Sequence, residues 1–583
     1  MLTTIAKNVI IIFMRNICKG ILFMRKGNRK FTRIENLKDQ VRIYEAHGQK
    51  VAFDYFDKSG EVQKMTYAEY AKNIRAFAAG LKELGKAGER VAIIGETSPF
   101  WHIAYHATVC SGGVAVPLDK ELALGEIENF IIRSGATVFV FSNLFEKKFA
   151  EMAASHPEIL FIPMHACEGE NPYGKTLDEI IELGIDKPDA FDEDGDITKM
   201  AVMLFTSGTT GTSKCVMLSE KNVCSAVNAA CESVYFFPDD VLLSVLPVHH
   251  TYELCCTIAG MNYGMEVAIN DSLRHVLRNI NKFKPTALVL VPLFVNTMEK
   301  RIWDELRKKK LDGVMRKLMA ASNGMRKVGI DARRILFTAV LKSFGGRLKK
   351  IICGGAPLNQ DIANTFRSLG IDIWEGYGIT ECSPLVAVDV YYKPKPGSVG
   401  TAVPCCEVRI EGEMANEDGH IVGEICVKGD NVMLGYYGDE EATAAVFTED
   451  GFFRTGDVGY IDEDGYLYIT GREKSVIVLE NGKNVFPEEI EEYLEPIDMI
   501  SECVVVGRQA ENSENVLLTA IIYPDMTKFA EGTTTEEVHA AIKTKIDAIN
   551  RKLVSYKHIR EIEIRDTEFE KTTTRKIRRN LVK

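Results

Sequence analysis

The segment Thr206-Ser-Gly-Thr-Thr-Gly-Thr-Ser-Lys214 follows directly on the apolar run Ala201 to Phe205, so a strand should deliver it to the edge of a sheet. Gly208 and Gly211 let backbone N–H groups come close to an anion, while Thr206, Ser207, Thr209 and Thr210 add hydroxyl donors and Lys214 adds charge. Such a set suits a polyphosphate. It is not the P-loop of nucleoside triphosphatases. That motif parts its glycines by four residues and runs Gly-Lys-Ser/Thr, whereas only Thr209 and Thr210 part the glycines here and Ser213 precedes Lys214. Taken alone, a plain Gly/Thr-rich turn would also satisfy the pattern.

Six further motifs follow in order: Leu246-Pro-Val-His-His250, Cys353-Gly-Gly-Ala-Pro357, Gly376-Tyr-Gly-Ile-Thr-Glu381, Phe453-Arg-Thr-Gly-Asp457, Gly471-Arg-Glu-Lys474 and Lys571-Thr-Thr-Thr-Arg-Lys576. From about residue 36 to the end, the series resembles the adenylate-forming superfamily of acyl-CoA synthetases, peptide-synthetase adenylation domains and luciferases. Glu253, following His249-His-Thr-Tyr, and the run Leu479-Glu-Asn-Gly-Lys-Asn-Val-Phe-Pro-Glu-Glu-Ile490 look most like the long-chain fatty acyl-CoA synthetases.

The resemblance implies two half-reactions. A carboxylate attacks the α-phosphate of ATP and releases pyrophosphate, and the thiol of coenzyme A then displaces AMP from the acyl-adenylate. It assigns the β- and γ-phosphates to Thr206–Lys214, Mg²⁺ to Glu381 and the α-phosphate to Thr380. Adenine would lie between Tyr377 and the Gly355–Ala356 backbone, and the ribose hydroxyls on Asp457 with Arg472 beside them. Lys576 would stabilise the charge that converges at the α-phosphate. His250 matches the histidine near the acyl channel, with His249 as the alternative. Lys474 occupies the hinge position, and Gly482 would line the thiol channel after the domain turns. In isolation Asp457 reads equally as a turn residue, Glu381 as a surface acid and Lys576 as one charge in a basic tail; it is the ordered set that gives them roles. Two positions depart from the pattern, Cys215 and Arg575 standing where glycine is usual. A side chain at 215 is expected to alter the exit of the phosphate loop, and Arg575 to stiffen the tail or add a phosphate contact.

The elements that must position these residues have an α/β texture from about Gln49, with short apolar runs such as Arg90 to Ile94, Ala287 to Val291 and Lys350 to Cys353 alternating with helical stretches. From Gly397 to Gly471 short strands and Asp-Gly turns predict a β-rich subdomain. The expected organisation is a leader over 1–35, a large domain over 36–471, a hinge at 472–475 and a small α+β domain over 476–583. Residues 299 to 350, with sixteen basic and five acidic side chains, predict Gly-interrupted helices with a solvated face.

The whole chain of 583 residues carries a net charge of -11, which argues against a nucleic-acid binder. Its fourteen cysteines include no C-x-x-C pair, pointing to a reducing cytoplasm and no cysteine-based metal site. The first 34 residues hold eight basic side chains and no acid, with Val9, Ile10, Phe13, Ile17, Ile21 and Met24 at helical spacing. They fit either a helix lying peripherally on an anionic inner membrane face or a dispensable, mis-started leader. The expected function is ATP- and Mg²⁺-dependent ligation of a fatty acid to coenzyme A. Adenylation of another carboxylate, transfer to a carrier-protein thiol and a non-catalytic acyl- or nucleotide-binding relative stay open, as does the oligomeric state.

Overall fold

The computed structural model describes residues 31–206, 213–390, 393–415, 419–479, 484–509, 516–571 and 577–582. The leader expected over residues 1–30 therefore lies outside the described residues, as do Ser207, Gly208, Thr209, Thr210, Gly211, Gly482, Arg575 and Lys576 with the roles expected of them.

Among the described residues two large sheets form the body of the first domain. One runs Gly435–Tyr436, Lys214–Ser219, Met200–Thr206, Val114–Leu118, Arg90–Ile94, Val138–Phe141, Leu160–Pro163. The other has Lys350–Gly354, Ala287–Leu290, Val241–Ser244 and Glu266–Ile269 as its parallel centre, with Asp372–Gly378 alongside. The central strands read as unbroken apolar runs because helices cover both faces. Between the sheets lie Pro99–Cys110 and Thr251–Asn262, nearly every residue of each buried. Burial depresses the imidazoles of His102 and His106 to about 3 and about 4, so both are neutral core residues at physiological pH. The helix Tyr67–Glu83, opened by a Thr66/Glu69 capping box, crosses Leu177–Gly184 at Gly80 and Gly184. A Cβ on Gly184 would sit 1.8 Å from the carbonyl oxygen of Ala76, so only glycine allows this crossing.

An antiparallel sheet follows, made of Cys406–Ala415, Ile421–Gly429, Phe453–Ile461 and Leu467–Arg472. Beyond the three-residue turn Glu473–Ser475 the chain builds a separate core. The strands Ile500–Gln509, Val516–Pro524 and Glu561–Ile564 pack Val505, Ala520 and Ile522 against Ile490 of Pro487–Leu494 and Ile542 of Thr535–Asn550. No helix among the described residues is long and apolar enough to cross a membrane.

Two expectations hold only in part. Gly329 and Gly345 lie just past helix ends with φ of 84° and 72°, but not every glycine interrupts the basic stretch, since Asp312–Lys327 runs helical through Gly313 and Gly324. The cost of about 1 kcal/mol per glycine is offset by Met315, Leu318 and Met319 packing on the apolar layer below. Nor are its charges all solvated. Arg333 pairs with Asp331 and Asp372, Arg334 donates to the carbonyls of Gly346, Leu348 and Gly370, and Lys350 is buried against Asp240. In addition, Ile34 is buried and donates its N–H to Asn228 at 3.0 Å, so the folded body takes in the end of the basic leader.

Candidate active site

The strands Met200–Thr206 and Lys214–Ser219 pair antiparallel with Thr206 opposite Lys214, which closes the base of the phosphate-loop segment. Cys215, next in line, turns into the apolar layer with Met203, and burial pushes its thiol up to about 12. The loop exit it was expected to alter lies outside the described residues. Lys214 lies with its ammonium 4.3 Å from the centre of the Tyr436 ring.

On the other sheet, Gly354 ends a parallel strand and Gly355 follows with φ of 87°, a left-handed turn that leaves Gly355 and Ala356 open to the cleft. The neighbouring strand Asp372–Gly378 carries Tyr377, whose hydroxyl donates to Asp457 at 2.7 Å. Burial, then the Asp457 charge, hold this phenol well above its usual range. Asp457 and Arg472 face each other across the antiparallel strands, with Arg472 Nε 2.9 Å from the second carboxylate oxygen. Residues far apart in sequence thus converge on a single carboxylate, itself nearly buried, with its guanidinium partner on the open side.

After Gly378 the chain makes the short turn Thr380–Cys382. A Cβ at Gly378 would lie 2.1 Å from the Pro384 carbonyl, so glycine is required where the turn folds back. Glu381 is held at both ends of the residue: its carbonyl accepts from Met433 N–H at 2.8 Å, and its carboxylate accepts from Tyr436 at 3.1 Å. Among the described residues no group of three or more His, Cys, Asp or Glu is placed to hold a metal. A single partly exposed carboxylate beside a phosphate loop fits Mg²⁺ nonetheless, since that ion keeps several waters and takes its remaining oxygens from substrate phosphates.

The rings of His249 and His250 lie 4.1 Å apart, tilted by 45°, and His249 Nε2 lies 3.5 Å from Asp119. His249 also lines a small cavity of about 20 Å³ with Tyr105, Val202, Val223, Leu254 and Ile258, whereas His250 is not among its walls. That cavity has room for a single water. Glu253, one turn into the helix, is fully buried and accepts from Ser244 Oγ at 2.5 Å. Burial raises its carboxyl to about 8, which leaves it largely protonated at neutral pH. Lys474 sits in the middle of Glu473–Ser475, the turn joining the antiparallel sheet to the last domain. Sequence reasoning missed Tyr436 and Tyr252, whose hydroxyl bridges to the carbonyl of Ile352 at 3.1 Å beneath Gly354. An isolated tyrosine in a Gly-Tyr-Tyr run carries no spacing signal; only the strand pairing reveals its reach.

Comparison with known proteins places these features in a family. The profile described as AMP-binding enzyme matches residues 40–437, and that described as AMP-binding enzyme C-terminal domain matches residues 474–583. The chain is 31% identical over 474 residues to long-chain-fatty-acid–CoA ligase FadD15 of Mycobacterium bovis, covering 76% of this chain and 75% of that one. It is 29% identical to the peroxisomal long chain acyl-CoA synthetase 7 of Arabidopsis thaliana, over 80% and 69% of the two chains. Among solved structures, ATP-bound MatB from Rhodopseudomonas palustris superposes with a TM-score of 0.71 at 25% identity, covering 94% of this chain and 98% of that one. The adenylation domain of a carboxylate reductase from Mycobacterium chelonae reaches 0.76 at 20% identity, over 98% and 95%, which speaks to the fold alone.

Proposed function

The chain belongs to the AMP-binding enzyme family, and from that premise we propose that it is a fatty acid–CoA ligase, using ATP, Mg²⁺ and coenzyme A. The observation that carries the nucleotide reading is the convergence of Tyr377 and Arg472 on the two oxygens of Asp457. A buried carboxylate with one oxygen fixed by a neutral donor and the other by a cation is oriented in advance for a diol such as ribose. Gly355 and Ala356 leave a flat backbone surface on which adenine can lie beside Tyr377. In the first half-reaction a carboxylate oxygen bonds to the α-phosphorus and pyrophosphate leaves; in the second, the thiol sulfur bonds to the acyl carbon and AMP leaves. Thr206 and Lys214 bind the outgoing phosphates, and Thr380 orients the α-phosphate. Glu381, together with phosphate oxygens, would hold Mg²⁺, which would supply charge neutralisation. Lys576 brings its ammonium to the carboxylate and the α-phosphate.

The acyl chain is assigned to the cavity beside His249, whose walls are apolar on several sides. A cavity of about 20 Å³ must widen among its apolar walls to take a chain, and burying each methylene contributes about 0.8 kcal/mol. We expect kcat/KM for pyrophosphate release, and for thioester formation on coenzyme A, to rise about fourfold per added methylene until the cavity is filled. Highest activity on acetate, or a thioester found only on a carrier protein, would overturn the assignment.

Peripheral contact with an anionic membrane is proposed for the basic leader, because seven of its eight positive charges fall before Phe31. A chain beginning at Phe31 keeps the buried Ile34. It should retain turnover on a soluble medium-chain acid and lose sedimentation with phosphatidylglycerol vesicles. Equal sedimentation with and without residues 1–30 would remove the idea.

A further inference from the structure

Tyr436 is the point where the two charged halves of the site meet. The short strand Gly435–Tyr436 pairs with Lys214–Ser219, Tyr436 opposite Val216. Flanking bonds fix its frame: Leu434 N–H donates to Met217, Tyr437 N–H to Cys215, and Tyr436 N–H to Thr443 Oγ1 at 2.9 Å. At 6% exposure the ring has little freedom to move. Its face receives the Lys214 ammonium at 4.3 Å, and its hydroxyl donates to Glu381 Oε1 at 3.1 Å. A lysine and a glutamate left loose in the same cleft would pair with each other and blunt both. The ring instead satisfies each with a different part of one rigid side chain, leaving the second carboxylate oxygen and the ammonium protons for other partners.

We propose that Tyr436 is a positioning residue, aiming the Glu381 carboxylate at Mg²⁺ through its hydroxyl and the Lys214 ammonium at the ATP phosphates through its ring. The inference rests on the roles given above to Glu381 and Lys214. Hydrogen-bonded partners behind a metal ligand fix its orientation, and their loss weakens the metal by roughly tenfold or more.

Tyr436→Phe keeps the ring and removes the hydroxyl, whereas Tyr436→Leu removes both. Mn²⁺ binding in the presence of a non-hydrolysable ATP analogue, followed by electron paramagnetic resonance, reads the metal half without turnover. Affinity for the same analogue without metal reads the lysine half. Tyr436→Phe should weaken Mn²⁺ about tenfold and leave metal-free nucleotide affinity unchanged, while Tyr436→Leu should weaken the latter a few-fold as well. A merely structural tyrosine would lower both affinities together in Tyr436→Phe, and that result overturns the proposal. Native Mn²⁺ affinity in Tyr436→Phe beside a weakened Glu381→Gln also overturns it, leaving Glu381 as the ligand. Native affinity in both variants removes the metal from Glu381, and the positioning role with it.

Discussion

Replacing Lys576 by alanine is expected to lower acyl-adenylate formation by at least about 10²-fold, the usual cost of losing one preorganised donor at a charge that develops in the transition state. Thioester formation from supplied acyl-adenylate should largely survive, because that step has no converging phosphate and carboxylate charge. Two described cations of the tail are already engaged elsewhere. Lys571 is committed to Glu502 and Glu568, and Arg579 to Glu491 and Glu488. The segment between them is also tied at both ends: Lys571 bridges to Ile577, and Phe569 packs with Val504 and Ile521 while Ile577 rests on the same cluster. A lysine offered from a fixed base differs from one more charge in a basic tail, and rapid-quench measurement of each half-reaction separates the two. An equal fall in both half-reactions would show the assignment to be wrong.

Much of this site was legible because glycine and hydroxyl order, unlike hydrophobic pattern, is constrained by what must approach the backbone. The strands Arg90–Ile94 and Lys350–Gly354 could be placed to within a residue from their apolar runs. The union of Tyr377 with Asp457, eighty positions apart, could not, since nothing in either segment encodes the other. The same holds for the cavity beside His249, whose walls come from separate strands and helices and depend on how the two sheets close over Thr251–Asn262. Cys215 shows the converse. Strand alternation sends its side chain into the apolar layer with Met203, a direction that the departure from glycine does not itself give. Asp312–Lys327 stayed helical through two glycines because packing outweighs propensity.

Proline at position 474 should divide the two half-reactions in the opposite sense. Arg472 occupies the position before the turn Glu473–Ser475 while holding Asp457, so the residue proposed to stand beside the ribose directly adjoins the turn that leads into the small domain. Across the boundary the domains meet through polar contacts: Lys300 with Asp525 at 2.7 Å, Arg307 with Asp498 at 3.2 Å, and Asn359 with the Glu492 carbonyl at 3.2 Å. Such partly exposed pairs contribute about 0–1 kcal/mol each. Partial loss of solvent, with Glu495 and Glu489 nearby, drives the half-exposed Glu492 carboxyl up to about 7. The small domain has its own apolar core and can leave without exposing it. We propose that rotation of the small domain falls on the backbone of this turn. Proline fixes φ near -65°, close to what a 3₁₀ turn already uses, and also restricts Glu473 before it. A misplaced proline costs about 3 kcal/mol, and if half of that falls on the turned state, thioester formation slows by about tenfold or more. First-turnover pyrophosphate release should be largely spared, which also reports that the large domain has folded. Lys474→Ala, which removes the charge but not the freedom, should catalyse both steps. Normal steady-state acyl-CoA production by Lys474→Pro would place the hinge elsewhere.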